Sequence, residues 1–264
     1  MIQKQQQPIG IFDSGIGGTS IWKEIHALLP NESTIYLSDS KNAPYGQKTK
    51  REILDLSIKN TEFLINKGCK IIVVACNTAT TNAIEYLRKN YDVPFIGIEP
   101  AIKSASLKTK TKNIGILATK GTLNSTLFEK TSANINSNIL IIEQIGNGLV
   151  ELIETGKMYS IEMTKLLKEY LSLMISSKCD CIVLGCTHYP YLIPQIKNIV
   201  GNNVTIIDSG EAVAKQTKKV LIENNLLSVS KTDTINTFYI NKEENILSLI
   251  LKEYKKAIIE NLDF

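Results

Sequence analysis

The chain has 264 residues, of which 43% are hydrophobic and 21% charged, as in ordinary globular proteins. The net charge of +4 comes mostly from lysines scattered through predicted helices, since Arg51 and Arg88 are the only arginines, and this argues against nucleic-acid binding. No apolar run approaches the roughly 20 residues of a membrane helix, and the polar amino terminus does not resemble a secretion signal. We therefore expect a cytoplasmic protein that binds neither nucleic acid nor membrane.

Short β-branched runs alternate with helical periods through the first hundred residues. The pattern predicts strands at 8–12, 34–37, 71–75 and 94–98, and helices at about 20–29, 50–67 and 78–90. Such alternation is typical of a parallel sheet with helices on both faces.

The second part of the chain repeats the plan of the first. Residues 113–122 form a strand and glycine turn that resemble 9–15, displaced by about 105 positions, and 139–143 match 34–38 at the same displacement. Cys186 then corresponds to Cys76, and 204–207 to 93–96, at displacements of about 110. The constant order predicts two pseudo-symmetric, doubly wound α/β lobes with mainly parallel sheets and a cleft between them.

The last part of the chain is predicted to return to the first lobe. It contains a helix at 212–224, a polar linker at 228–233, a short strand at 237–240 and a final helix at about 244–260. The predicted lobes are therefore 1–99 plus 208–264, and 100–207.

Residues with reactive or polar side chains lie where the predicted strands end. Asp13, Cys76, Thr119 and Cys186 all occupy that position, which is where open parallel sheets bind ligands. Both cysteines also open predicted helices, whose free N–H groups lower the pKa of a thiol. We expect two reactive thiols facing each other across the cleft. One would take a proton from one face of a stereocentre while the other delivers a proton to the opposite face.

The cysteines and the glycine-rich turn also allow other interpretations. Five cysteines, an odd number, indicate reduced thiols rather than a disulfide framework. Cys69, Cys179 and Cys181 fit a buried core, because they lie at strand starts. A zinc site over 179–188 fails on geometry, since a strand would hold Cys181 and Cys186 ~16 Å apart.

The glycine-rich turn at 13–19 resembles the first phosphate loop of sugar kinases and actin-like ATPases, which leaves a nucleotide-binding protein as an alternative.

Four motifs together resemble those of glutamate racemases, in the cofactor-independent aspartate/glutamate racemase family. They are GIFDSGIGG at 10–18, NAPYG at 42–46, VACNTA at 74–79 and LGCTHYP at 184–190, in the family's order. The resemblance implies an isomerase that interconverts L- and D-glutamate, without pyridoxal phosphate or metal, and supplies D-glutamate for peptidoglycan, cell-wall biogenesis and cell shape. It also implies a homodimer by analogy. An aspartate racemase of the same family remains an alternative, because the sequence does not measure the side-chain length that the pocket accepts.

The same resemblance assigns roles to residues. Cys76 would abstract the α-proton of D-glutamate and Cys186 that of L-glutamate, assisted by Asp13 and His188. An assisting glutamate follows an apolar, proline-containing run in the family. This chain departs from that run at 145–154, and the spacing to Gly156 favours Glu154 over Glu151. The implied substrate contacts are Asp13, Ser14, Pro44, Tyr45, Gly46, Asn77, Thr78, Thr119, Thr122, Thr187 and His188.

Overall fold

Two parallel sheets flanked by helices form the protein. The computed structural model describes residues 2–228 and 234–264, so most of the predicted linker, 229–233, lies outside the described residues. The strands are β1 Ile9–Asp13, β2 Thr34–Ser38, β3 Ile71–Val74, β4 Phe95–Gly97, β5 Asn113–Ala118, β6 Leu140–Ile145, β7 Cys181–Gly185, β8 Thr205–Ile207, β9 Asn236–Ile240 and β10 Ala257–Asn261. The helices are α1 Ile2–Gln5, α2 Thr19–Leu28, α3 Lys50–Asn66, α4 Asn77–Asn90, α5 Ile102–Lys108, α6 Lys120–Leu123, α7 Thr126–Ala133, α8 Leu149–Glu154, α9 Ile161–Ser176, α10 Ile193–Val200, α11 Gly210–Glu223 and α12 Asn245–Leu251.

The strand order confirms the predicted fold class and repeat. The six-stranded sheet has the order β10-β9-β2-β1-β3-β4, and the four-stranded sheet has the order β6-β5-β7-β8. The segment β2-β1-β3-β4 therefore corresponds strand by strand to the second sheet. All the pairings are parallel. The inner strands β1, β3 and β7 are buried along their whole length, which explains their continuous apolar runs.

The register aligns the strand ends that carry the candidate residues. Asp13 pairs with Ser38 across β1 and β2, and Phe12 pairs with Val74, two residues before Cys76. In the second sheet Ala118 pairs with Gly185, so Thr119 and Cys186 leave neighbouring strands at the same level. Parallel pairing thus brings residues distant in sequence to one edge of each sheet.

The predicted final helix at 244–260 is wrong in its second half. Helix α12 ends at Leu251, and β10 follows as an outer strand parallel to β9. The turn between them is closed by the Ala257 N–H, which donates to the Tyr254 carbonyl at 2.9 Å. The β-branched pair Ile258 and Ile259 favours a strand, and the edge of β9 supplies the hydrogen-bond partners that only the folded sheet provides.

Candidate active site

Cys76 begins α4, as its position after β3 predicts. Its thiol is nearly inaccessible to solvent, accepts the Ala79 N–H at 3.4 Å and donates to the Ser14 hydroxyl at 3.6 Å. The expected lowering of its pKa is wrong for this structure. Burial raises the pKa of Cys76 well above its usual value, the charge of Asp13 raises it further, and the Ala79 N–H opposes both more weakly.

Cys186 does not begin a helix, contrary to the prediction. Strand β7 ends at Gly185, a bend follows, and Tyr189–Leu192 forms a single 3₁₀ turn before α10 begins. Pro190 and Pro194 explain the delay, because each removes a backbone N–H that a regular helix from Cys186 would use. The polar partner of this thiol is a side chain: its Sγ lies 3.7 Å from Nδ1 of His188.

His188 connects Cys186 to Glu154. Its Nε2 lies 2.6 Å from Oε1 of Glu154, and both side chains are almost fully buried. Burial by itself lowers the pKa of His188, but the hydrogen bonds and charges of Cys186 and Glu154 together raise it well above its usual value. The raised pKa favours a positively charged ring, with Nδ1 towards Cys186 and Nε2 towards Glu154, and the Gly17 N–H also approaches Nε2 at 3.2 Å.

The two candidate glutamates of α8 occupy different environments. Glu154 contacts His188, accepts the Ile16 N–H at 2.7 Å and accepts from the Ser40 hydroxyl at 2.9 Å. Glu151 instead accepts from the Gln47 amide at 2.6 Å, towards the mouth of the cleft. Of the pair, Glu154 is the one that contacts the imidazole.

Asp13 is fully buried and forms hydrogen bonds both within its own turn and to the second lobe. Its Oδ2 accepts the Gly18 N–H at 2.7 Å, and the Thr187 hydroxyl lies 3.3 Å from Oδ1. Burial raises the pKa of Asp13 to about 6, partly offset by the charge of His188 and the Gly18 N–H. Asp13 acts on Cys76 through its charge, while its hydrogen bonds run to Gly18 and Thr187.

The glycines of the turn after β1 make room for the acid and the imidazole. A Cβ on Gly15 would lie 2.0 Å from Oε1 of Glu154, and one on Gly17 would lie 2.2 Å from Nδ1 of His188. The Ile16 and Gly18 N–H groups already donate to carboxylates. These contacts account for the glycine pattern without a bound phosphate.

The Tyr45 side chain is buried, and its hydroxyl is engaged by residues of the first lobe. Its hydroxyl donates to Asp39 and accepts from the Asn60 amide at 3.1 Å. The backbone at Pro44–Gly46 approaches the second lobe, where a Cβ on Gly46 would lie 2.8 Å from Cβ of Thr119. The sequence reading missed Asp39 and Asn60. Asp39 could have been found, because it follows β2 much as Asp13 ends β1.

Hydroxyls from both lobes meet where Cys76 begins α4. Oγ1 of Thr78 lies 2.9 Å from Oγ1 of Thr119, which in turn lies 3.0 Å from Oγ1 of Thr122. Beside them, both amide atoms of Asn77 are buried without a hydrogen-bond partner among the described residues. Buried amides are normally paired, so Asn77 is suited to a polar ligand.

Neither arginine belongs to this cluster, since Arg51 lies on α3 and Arg88 in the last turn of α4, at the opposite end of that helix from Thr78. Arg51 pairs with Asp55 at 3.7 Å, and Arg88 donates to the Phe95 carbonyl at 3.3 Å. A recess of about 440 Å³ at the mouth of the cleft instead carries lysines, among residues that include Gln47, Asn82, Asn147, Lys48, Lys50 and Lys120. Positive charge is therefore placed outside the hydroxyl cluster and not within it.

The described ranges hold no group of three or more His, Cys, Asp and Glu side chains able to bind a metal ion. None of their helices is long and apolar enough to cross a membrane. The three remaining cysteines, Cys69, Cys179 and Cys181, are buried, and burial raises the pKa of each.

Asp13→Asn is expected to stabilise the protein at pH 8. The folded pKa of about 6 lies above the usual 3.8, so the folded state keeps a proton that the unfolded chain has lost between about pH 4 and pH 6. The free energy of unfolding therefore falls as pH rises through that window, and the penalty is complete above it. Removing the charge is expected to restore roughly 1–3 kcal/mol at pH 8 and much less at pH 5, measured by urea unfolding.

Asp180→Asn is the matched control for this prediction. Partial burial raises the pKa of Asp180, but hydrogen bonds from the Thr109 hydroxyl and the Lys110 and Thr111 N–H groups lower it more, so its charge stabilises the fold. That variant is expected to lose stability at pH 8. A loss of stability in Asp13→Asn at pH 8 as well would contradict our account of the Asp13 charge.

Two similar parallel-sheet lobes that each bring one thiol to a sheet edge, with an imidazole and a carboxylate beside one of them, form an arrangement suited to proton transfer. The model of the Asp/Glu/Hydantoin racemase family matches residues 9–217. The chain belongs to this family.

Individual relatives agree with that assignment. The glutamate racemase of Cupriavidus pinatubonensis is 45% identical over 219 residues, which are 83% of this chain and 80% of that protein. The crystal structure of glutamate racemase RacE1 from Bacillus anthracis matches 98% of both chains with a TM-score of 0.88 and 29% identity. The Francisella tularensis glutamate racemase, solved in complex with D-glutamate, matches 98% of both chains with a TM-score of 0.85 and 30% identity.

Proposed function

We propose that this protein is a glutamate racemase that interconverts L- and D-glutamate by proton transfer at Cα, without a cofactor. The observation that carries the proposal is the pair of thiols, Cys76 and Cys186, at equivalent strand ends of two similar lobes. The relatives named as glutamate racemases, one of them solved with D-glutamate, support the choice of substrate.

Each thiol serves as base in one direction and as acid in the other. With L-glutamate, the Cys186 thiolate takes the α-proton, and the Cys76 thiol gives its own proton to the opposite face of Cα. D-glutamate leaves, and the protein then holds a Cys186 thiol and a Cys76 thiolate. With D-glutamate the same two transfers run in reverse.

The surroundings of each sulfur fit these roles. The His188 imidazolium beside Cys186 stabilises the thiolate, and Glu154 holds the ring in place. Burial raises the pKa of Cys76, which makes its thiolate a stronger base towards the weakly acidic Cα–H. Asp13 assists from the first lobe by fixing Thr187 next to Cys186.

The substrate carboxylates are assigned to hydroxyls and amides, because both arginines lie elsewhere. We place them against Asn77 and the hydroxyls of Thr78, Thr119 and Thr122. The remaining substrate contacts proposed from the family resemblance are Asp13, Ser14, Pro44, Tyr45, Gly46, Thr187 and His188. Since the Tyr45 hydroxyl is engaged by Asp39, its contribution would come from the backbone. The lysine-lined recess at the mouth would attract the anionic substrate.

The biological setting is also a proposal. D-glutamate made in the cytoplasm, where thiols stay reduced, would supply peptidoglycan and so cell-wall growth and cell shape. The lobe boundaries 1–99 plus 208–264 and 100–207 remain our prediction, and the assignment of β9 and β10 to the six-stranded sheet supports them. The homodimer remains a prediction from family analogy alone.

The direct test is incubation of the reduced protein with L-glutamate in deuterated water, without added cofactor. We expect D-glutamate that carries deuterium at Cα, because its new proton comes from a solvent-exchanged thiol. L-aspartate is expected to react far more slowly. Folded, reduced protein that incorporates no deuterium from either amino acid would refute the racemase proposal, and faster reaction of aspartate would reassign the substrate.

A further inference from the structure

The short helix α6 of the second lobe packs closely against the first lobe. A Cβ on Gly121, in α6, would lie 2.8 Å from Cγ2 of Thr78 and 3.2 Å from Cα of Gly46. The helix also carries two of the three clustered hydroxyls, because Thr122 belongs to it and Thr119 caps it by accepting the Thr122 N–H. The position of α6 against α4 therefore determines whether the hydroxyls of the two lobes meet.

Asn82 forms a hydrogen bond between these two helices. Its Nδ2 donates to the Thr78 carbonyl, within α4, at 2.8 Å and to the Gly121 carbonyl of α6 at 3.2 Å. The Thr81 hydroxyl lies 3.3 Å from the same nitrogen. Carbonyl oxygens accept hydrogen bonds and cannot donate them, so the two carbonyls place the amide nitrogen, and not its oxygen, on this side. Asn82 thus ties the backbone of α6 to α4.

Asn82 and Thr78 contact α6 from the same face of α4. They are four residues apart in that helix, a spacing that places two side chains side by side on successive turns. The Thr78 hydroxyl lies 2.9 Å from Oγ1 of Thr119, while Asn82 holds the carbonyl of Gly121. Two contacts on successive turns restrain the tilt of α6 as well as its position, which a single contact would leave free.

A second side-chain amide joins the lobes at the mouth of the cleft, but it does not contact α6. Gln47 donates to Glu151, which lies on α8, and this bond is exposed to solvent. Asn82 is half-buried instead, and the helix that it holds carries hydroxyls assigned to the substrate. Of these two amides, Asn82 is therefore the one whose loss would disturb the hydroxyl cluster.

We propose that Asn82 is a positioning residue for substrate binding, which holds α6 so that Thr119 and Thr122 stand beside Thr78 before a carboxylate of glutamate arrives. The inference rests on the proposed racemase function. Asn82 acts through these hydroxyls and not on the thiols. Without its bond to Gly121, the substrate would have to order α6 as it binds. That cost weakens the binding of substrate and transition state alike.

Asn82→Ala is expected to raise KM for glutamate roughly 3–10-fold, the factor that corresponds to one net hydrogen bond. The value of kcat should stay within about twofold, because a loss of uniform binding changes KM and leaves the chemical step as it was. The rise in KM should be similar for L- and D-glutamate, since both would use the same hydroxyls. Initial rates in both directions, followed by circular dichroism of glutamate, measure these constants.

Asn90→Ala is the matched control on the same helix. The exposed Asn90 amide donates to the Tyr86 carbonyl at 2.8 Å, with the same four-residue spacing, and none of the described residues of the second lobe accepts from it. We expect its KM to equal that of the wild type. Asn82→Ser is the second variant, because serine can still donate to the Thr78 carbonyl four residues earlier but is too short to reach Gly121 as well. Its KM should rise as in Asn82→Ala.

Several results would overturn the role of Asn82 and leave the proposed function standing. They are an unchanged KM in both Asn82 variants, a fall in kcat at constant KM, and an equal rise of KM in Asn90→Ala. Failure of both Asn82 variants to fold, when Asn90→Ala folds, would likewise replace the positioning role with a structural one. Absence of racemisation in the wild type would instead refute the proposed function, and this inference with it.

Discussion

Cys76→Ser and Cys186→Ser are each expected to lower kcat/KM for racemisation roughly 10²–10⁴-fold, the usual contribution of a positioned acid or base. Serine keeps the shape of the side chain, but its hydroxyl is far too weak an acid to form the required anion near neutral pH. The rate of racemisation is measured by circular dichroism of glutamate in both directions.

The two variants should differ in which enantiomer still exchanges its α-proton. In Cys186→Ser, Cys76 can still take the proton of D-glutamate and return a deuteron to the same face. D-glutamate should therefore gain deuterium without becoming L-glutamate. In Cys76→Ser, L-glutamate should show the corresponding exchange through Cys186. These patterns follow from which face each thiol contacts, so they test the assignment of each cysteine separately.

Cys181→Ser is the control for the cysteine variants. Cys181 is also buried and lies on β7, the strand that precedes Cys186, but at its opposite end. We expect some loss of stability and nearly full activity. Full activity in Cys76→Ser or Cys186→Ser would rule out the two-thiol mechanism.

Glu154→Gln should reduce racemisation by roughly 10²-fold, at the lower end of acid–base contributions, with the larger effect on abstraction from L-glutamate. Its carboxylate accepts hydrogen bonds from His188, the Ile16 N–H and the Ser40 hydroxyl. His188 and the Ile16 N–H contact Oε1, whereas Ser40 donates to Oε2. An amide has one acceptor oxygen, so it cannot replace both of these carboxylate oxygens. Without the carboxylate the imidazolium loses its counter-charge, and the pKa of His188 is expected to fall.

Glu151→Gln is the matched control on the same helix. Its carboxylate contacts Gln47 and not the imidazole, so we expect less than about a threefold effect on kcat, and any change should fall on KM. The pKa of His188 is followed by NMR in both variants. A larger loss in Glu151→Gln than in Glu154→Gln would reverse the assignment of the assisting carboxylate.

Strand and helix positions were largely predictable because the central strands are buried on both faces. Continuous β-branched runs such as 71–74 leave little ambiguity, and the glycines and helix starts that follow them mark each strand end. The prediction failed at 252–260, which form a turn and the first residues of β10 instead of the end of a helix. Whether those residues pair as a strand depends on the free edge of β9, which is a tertiary feature.

The sequence by itself determined the duplicated plan, the pair of strand-end cysteines and the family to be tested. The sequence did not show how the surroundings of each group change its pKa. Local sequence patterns predicted that both thiols begin helices and that their pKa values are lowered. In the folded protein, burial raises the pKa of Cys76. Two prolines prevent a helix from beginning at Cys186, and the polar partner of its thiol is the His188 ring.

The spacing to Gly156 favoured Glu154 over Glu151, and the tertiary structure shows that Glu154 is the one of the two that contacts the imidazole. The two lie three residues apart on one helix, so their local sequence signals differ little. What separates them is the packing of α8 against the glycine turn of the other sheet, where Gly15 and Gly17 leave space for a carboxylate and an imidazole. Burial and contacts across the cleft join residues more than a hundred positions apart, and local sequence patterns carry no measure of them.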